Sequence, residues 1–206
     1  LRFNIAKLIP GASGDPSKWQ NYIVRVSGGA MLGTQERVRS GYPWGALVDH
    51  GDGTYTYTFA TDITNAACPA PCTDADGNAL DLSYQQGLTH RVGIQQGNTE
   101  LPMANALYDF VPAGGAVTSM REIVKTGNCN ECHDKITAHG SRFEIKLCVT
   151  CHNPGSWVAS GNTTVDFKVM IHKIHRGESL PSVEAGGSYA IGSDDFSDVV
   201  FPQDIR

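Results

Sequence analysis

Cys129-Asn130-Glu131-Cys132-His133 and Cys148-Val149-Thr150-Cys151-His152 are the two stretches on which the reading of this chain turns. Each holds two thiols with two residues between them, and an imidazole on the next residue. That spacing has a mechanical use. The thiols reach the two vinyl groups along one edge of a porphyrin, and the following histidine is set under the iron. The motifs start nineteen residues apart. A four-cysteine zinc ribbon would use the same cysteine pairs at a comparable gap, but it gives no reason for a histidine after both. The expectation is two covalently bound c-type haems. Cys129, Cys132, Cys148 and Cys151 would be their thioether anchors, and His133 and His152 their proximal iron ligands.

Each iron also needs a sixth ligand, which tunes its potential and its chemistry. Three histidines in the same region, His139, His172 and His175, are candidates for two irons. Met170 could compete, but its helical spacing between Phe167 and Ile174 reads as core. Bis-histidine ligation of both irons is expected, which implies low-potential electron carriers. Residues 134–138 read as helix, and six helical residues rise about 9 Å. His139 is therefore expected to serve the second iron, beside His152. His172 and His175 lie three apart and project from nearly one helix face, so they should serve separate irons. One would cap the first haem. The other is spare, or belongs to a haem that this chain does not carry.

Outward from the motifs, the chain divides. Leu1–Ile5, Tyr22–Val26, Thr54–Phe59, His90–Ile94 and Ala106–Val111 read as strands separated by turn residues such as Gly28-Gly29 and Asp52-Gly53. No helix of crossover length lies between them, so an antiparallel sandwich or small barrel is expected. Pro112-Ala113-Gly114-Gly115 is a plausible edge. Residues 1–115 form the expected haem-free, all-β domain, and 116–206 the dihaem domain, mostly irregular with short helices. Helices are read at 120–125 and 166–175, the second closed by Gly177. Residues 178–206 read as loop with some strand. His50 and His90 read as structural or surface groups. Asp74, Asp76 and Asn78 resemble the start of a calcium loop, but the twelfth position is Gln85 rather than Glu, so a plain turn is the default.

Composition excludes several classes. The 206 residues carry a formal charge of −5 with no basic run, which argues against nucleic acid. No apolar stretch approaches the length of a membrane-spanning helix, and no secretory leader is recognisable. A chain opening inside a strand reads as one that has lost its leader or is a piece of something longer. Cys68 and Cys72 lack a following histidine. Covalent haem attachment belongs outside the bacterial cytoplasm, where disulfides also persist, so a Cys68–Cys72 bridge is the simplest reading. Free thiols or a shared metal are the alternatives.

Gly51–Tyr57, Thr89–Ile94 and Tyr108–Pro112 resemble the first domain of the outer-membrane decahaem cytochromes of the OmcA/MtrC type. Cys129–Gly140, Cys148–Gly155 and Asp166–Gly177 resemble the start of that family's second domain. The resemblance implies a Greek-key split β-barrel followed by the opening of a pentahaem domain, with His133 and His152 proximal and His139, His172 and His175 as distal-ligand candidates. It implies electron transport in extracellular respiration, at the cell surface or outside it, with a periplasmic place also open. The acceptors would be metal oxides, metal complexes or flavins, and the partners other multihaem cytochromes or an outer-membrane conduit. Metal reduction would be non-specific rather than enzymatic. The chain departs from the family by carrying two haem motifs where five are expected. Two other functions stay open: a filament-forming cytochrome in which His172 or His175 ligates a neighbouring copy, and a multihaem reductase with one open haem.

Overall fold

Strand β1 (Arg2–Ile9) is buried from Phe3 to Leu8. Successive side chains of a strand point to opposite faces, so β1 must be covered twice. On one face Ile5 packs with Tyr22 and Ile23, closed over by Phe59, Tyr84, Val92 and Phe110. Phe3 stacks on Tyr57 there, with ring centroids 3.8 Å apart. On the other face Ala6 and Leu8 pack with Trp19 and with Val149, which lies inside the second Cys-x-x-Cys-His stretch. One face is thus the core of the β region, and the other is the floor for a haem motif.

The computed structural model describes residues 1–38, 45–97 and 101–203. Residues 39–44, 98–100 and 204–206, the last being the end of the expected haem-bearing region, lie outside the described residues. Around β1 are β2 (Lys18–Asn21), the hairpin of β3 (Val24–Ser27) and β4 (Ala30–Gly33), and the short β5 (Glu36–Arg37). Next come the hairpin of β6 (Ala46–Asp49) and β7 (Tyr55–Thr58), then β8 (His90–Gln96) and β9 (Ala104–Phe110). The main sheet runs β2-β1-β8-β9 with β5 also beside β1, and every pairing is antiparallel. The strands read from the sequence are present, shifted by a few residues at their ends.

The later part of the chain is mostly turn and loop, with α1 (Thr126–Cys129), α2 (Ile145–Cys151), α3 (Phe167–Arg176) and α4 (Pro181–Glu184). Its β10 (Trp157–Val158) and β11 (Thr163–Thr164) complete a second sheet, ordered β11-β10-β4-β3, with Trp157 opposite Met31. A small hairpin, β12 (Ala190–Ile191) and β13 (Asp194–Asp195), follows. Residues on both sides of position 115 therefore share one sheet. The Cys68–Cys72 disulfide is formed, and residues 74–78 make a turn in which Asp74 accepts from the backbone of Asp76 and Asn78.

Two helix expectations are corrected. Residues 120–125 are not helical, and Met120 and Ile123 are 65% and 68% exposed. A short apolar pattern holds a helix only when packing buries its stripe, and nothing covers this one. Residues 134–138 are turns and loop. There the Asn130 side chain accepts from the backbone N–H of Ile136 at 2.8 Å, a local bond that competes with a helical ladder.

Candidate haem sites

Helix α2 is built to hold the second motif. Thr126 Oγ1 accepts from the Ile145 N–H at 3.0 Å, and Asn105 Oδ1 accepts from Phe143 and Glu144 at 2.9 and 3.1 Å, meeting donors that open helix ends leave unpaired. Ile145, Leu147 and Thr150 face inward and are buried. Asn4 on β1 donates to Thr150 Oγ1. Arg91 on β8 makes a bidentate pair with Asp109, at 2.6 and 2.7 Å, and donates to the Lys146 carbonyl. Cys151 is fixed further by Ser156, which donates to its carbonyl at 2.7 Å, and by Asn21, whose amide lies 3.4 Å from its sulfur.

His152 ends this helix and lies half-buried against Phe167. Its Nδ1 donates to the Val165 carbonyl at 3.1 Å, which leaves Nε2 as the free ligand nitrogen. Burial pushes its pKa down to about 4, so the ring stays in the neutral form that binds metal. Burial likewise pushes the Cys148 thiol up to about 12. His139 approaches from a tight loop closed by the Ala138–Arg142 bridge. His139 and Gly140 both have positive φ, +50° and +86°. A non-glycine residue in that region is strained by about 1–2 kcal/mol, and such strain gathers at functional positions. The His139 and His152 rings lie 5.8 Å apart, centroid to centroid, and 14° from parallel.

The first motif has slighter support. α1 has four residues, none of them buried. His133 is exposed, and its ring lies 6.1 Å from that of His175, at 42°. His175 comes from α3, whose Met170 is buried core as its spacing suggested. Gly177 closes α3 at φ +41°, where a side chain would collide with the Val199 carbonyl. The segment after Val199 then brings Phe201 to 5.0 Å from the His175 ring. Between α1, α2 and α3 lies a cleft of about 950 Å³, lined by Trp19, Val149, Phe167, Ile171, Ile174 and Phe201 together with both proximal histidines. That is the upper end of the size of ligand sites.

Haem fits these residues. An imidazole nitrogen sits about 2 Å from a bound metal, so two rings on opposite sides of one ion have centroids roughly 6 Å apart. Both histidine pairs stand near that spacing. Among the described residues no three His, Cys, Asp or Glu side chains converge as a metal-binding group, so the four cysteines do not assemble a zinc tetrahedron. His172 joins neither pair. It is exposed, with its Nδ1 bonded to the Lys168 carbonyl. His90 is fully buried, donating to Leu88 and accepting from Tyr22, and the His50 ring bonds Thr56 on the surface. The sequence reading missed Asn4, Arg91, Asn105, Arg142 and Phe201, which no motif marks.

Comparison with known proteins bears on the whole arrangement. Residues 121–200 match the family model of outer membrane cytochromes, MtrC/MtrF-like, domains II/IV. The chain is 32% identical over 198 residues to the multiheme cytochrome MtrC of Shewanella baltica (strain OS185), covering 90% of this chain and 26% of that protein. Its fold superposes on the crystal structure of the outer membrane decaheme cytochrome OmcA with a TM-score of 0.70 and 26% identity, over 98% of this chain and 32% of that one. Together these matches support an outer-membrane multihaem cytochrome of the OmcA/MtrC type. The chain spans about a quarter of the length of the MtrC relative. No described helix is long and apolar enough to cross a membrane.

Proposed function

We propose that this stretch of an OmcA/MtrC-type cytochrome holds two haems and relays electrons in extracellular respiration. Cys129 and Cys132 anchor the first, with His133 and His175 as its axial pair. Cys148 and Cys151 anchor the second, with His152 and His139 as its pair. The observation that carries the reading is the two facing imidazole pairs, each with one ring directly after a Cys-x-x-Cys. Bound haem supplies a reversible one-electron centre. His133, His139, His152 and His175 would hold the two haems, and burial lowers the pKa of His139, His152 and His175, which favours the neutral ring that binds metal. A filled sixth position favours relay over bond chemistry, so reduction of metal oxides, metal complexes or flavins is electron delivery rather than substrate-specific catalysis.

In this reading residues 1–115, the Greek-key β part, carry no haem, and residues 116–206 carry both. The protein works outside the cytoplasm at the cell surface, beside other multihaem cytochromes or an outer-membrane conduit. His172 is left to an iron that these residues do not anchor, in another part of the protein or in a second copy. The test is EPR on single alanine variants of the haem-loaded protein. His175→Ala should convert one haem to high spin and His139→Ala the other, while His172→Ala changes neither. High-spin signal from His172→Ala, or none from the other two, would overturn the assignment. Loss of self-assembly in His172→Ala would favour the filament.

A further inference from the structure

Arg2, Arg37 and Arg142 gather positive charge near His139. Arg2 and Arg37 stand directly opposite each other between β1 and β5, where like charges repel. Arg142 follows the His139 loop, and its Nε donates to Gln95 at 2.8 Å. Burial first, then the fields of Arg37 and Arg142, press the Arg2 guanidinium below its ordinary pKa. The fields of Arg142 and Arg2 also reach His139. The ion pairs among the described residues are Lys7–Asp81, Arg91–Asp109 and Lys146–Glu122, and none includes these three arginines. In a chain whose formal charge is −5, three clustered arginines with no carboxylate partner among the described residues call for an anion.

A second observation points the same way. Gln35 is 4% exposed, and neither its Nε2 nor its Oε1 has a partner. A buried amide left unpaired costs about 1–3 kcal/mol. Strand alternation sets Gln35 with Arg37, while Glu36 between them turns the other way, to Tyr57 and Thr61. Gln35 follows Thr34, whose carbonyl lies 3.9 Å from the Cys151 sulfur. The residue that bears the unpaired amide is thus next in sequence to one that touches the second motif. A dent of about 230 Å³, lined by Arg2, Arg37 and Gln95, opens at the arginines.

We propose that Arg2, Arg37, Arg142 and Gln35 are the seat of the two propionate carboxylates of the haem held by His139 and His152. This rests on the ligand assignment above. Guanidinium groups pair with carboxylates as bidentate forks, and Gln35 Nε2 supplies one further donor. The seat fixes the rotation of the porphyrin about its axial ligands. It also places cations near the iron, which disfavours the ferric state and raises that haem's potential above what bis-histidine ligation alone would set.

The test uses the full haem-loaded chain with Arg37→Gln, an exposed site that leaves the core untouched, and with Arg142→Gln. Individual potentials are read by EPR-monitored redox titration, and propionate bending bands by resonance Raman. One of the two haems should lose preference for its reduced form by roughly tenfold, about 59 mV for a one-electron couple. Its propionate band should shift while the other haem's stays. Arg142→Lys should restore most of the potential and not the band, because an ammonium keeps charge but loses the fork. If both haems keep low-spin spectra and neither quantity moves, the seat is wrong. If the potential falls and the band stays, the arginines act on the iron through space, and the seat is again wrong. If added phosphate at constant ionic strength shifts the unsubstituted protein, a free anion occupies the site instead. An unsubstituted protein lacking a second low-spin haem would overturn the ligand assignment itself, a distinguishable failure.

Discussion

The same five-residue chemistry occurs twice in this chain and is supported in two ways. The second motif lies on a helix that grips the main sheet through Ile145, Leu147 and Thr150. The Cys151 sulfur, the Cys151 carbonyl and His152 are held by Asn21, Ser156 and Val165. The first motif follows a four-residue helix with no buried side chain. The ring that faces its histidine, His175, comes from α3 and packs against Phe201 of the segment folded back over Gly177. The second site is thus part of the β framework, whereas the first is assembled from local pieces around a cleft. Haem anchorage does not need a preformed core, but the stability of each site should follow the support it has.

The largest break in this comparison is Arg91→Met. Arg91 is 3% exposed, pairs with Asp109 and lies with its guanidinium carbon 4.3 Å from the centre of the Trp19 ring. Removing one partner of a buried pair costs about 3 kcal/mol, the low end of the usual range because Asp109 keeps some contact with water. Chemical denaturation should show that loss. The second haem's low-spin signal should disappear at lower denaturant than the first's. Equal loss of both signals would mean that the sites unfold together and that the difference in support is only apparent.

How much of this was legible follows from where each feature draws its stability. β1, β8, β9 and α3 announce themselves because their own residues carry the burial pattern. The cysteines and histidines proposed to anchor the haems are likewise written as contiguous motifs. β10 has two residues and exists because Trp157 meets Met31 on a hairpin far back in the chain, so no local pattern predicts it. The stretch 120–125 has a helical pattern without a surface to cover it. The facing of His139 and His152 was expected from reach, although the stretch 134–138 read as helix is turn and loop, and the choice of His175 over His172 beside His133 was not decided by their spacing. The arginine cluster was not legible either, since Arg2 and Arg37 meet through sheet register and Arg142 joins through Gln95.

A pair of glycine substitutions compares the two supports at finer scale. A methyl at Gly93 on β8 would strike the Asn4 side chain and Leu147 of α2. A methyl at Gly177 would strike the Val199 backbone, at a φ of +41° that other residues seldom adopt. Each change should lower stability by about 1–3 kcal/mol. Gly93→Ala should disturb the spectrum and potential of the second haem, and Gly177→Ala those of the first, through Phe201 and His175. Crossed effects would show that α2 and α3 transmit strain between the sites.

The smallest expected effect sharpens the comparison from the side of charge. Glu122 and Lys146 form an ion pair at 2.6 Å beside the first cleft, with side chains 40% and 38% exposed. The hydrogen bond and then the charge of Lys146 hold the Glu122 carboxyl below its ordinary pKa. The pair is shorter than most, yet water and salt screen it, and ordering two long side chains offsets the attraction. Glu122→Gln should leave the unfolding midpoint where it is, at low salt and at high. Arg91–Asp109 has nearly the same length and should behave in the opposite way, because the protein, not water, surrounds its guanidinium. A midpoint shift in Glu122→Gln comparable to that of Arg91→Met would mean that the first site is more enclosed than its exposed motif indicates. The contrast between a framework-held and a locally assembled haem would then have to be withdrawn.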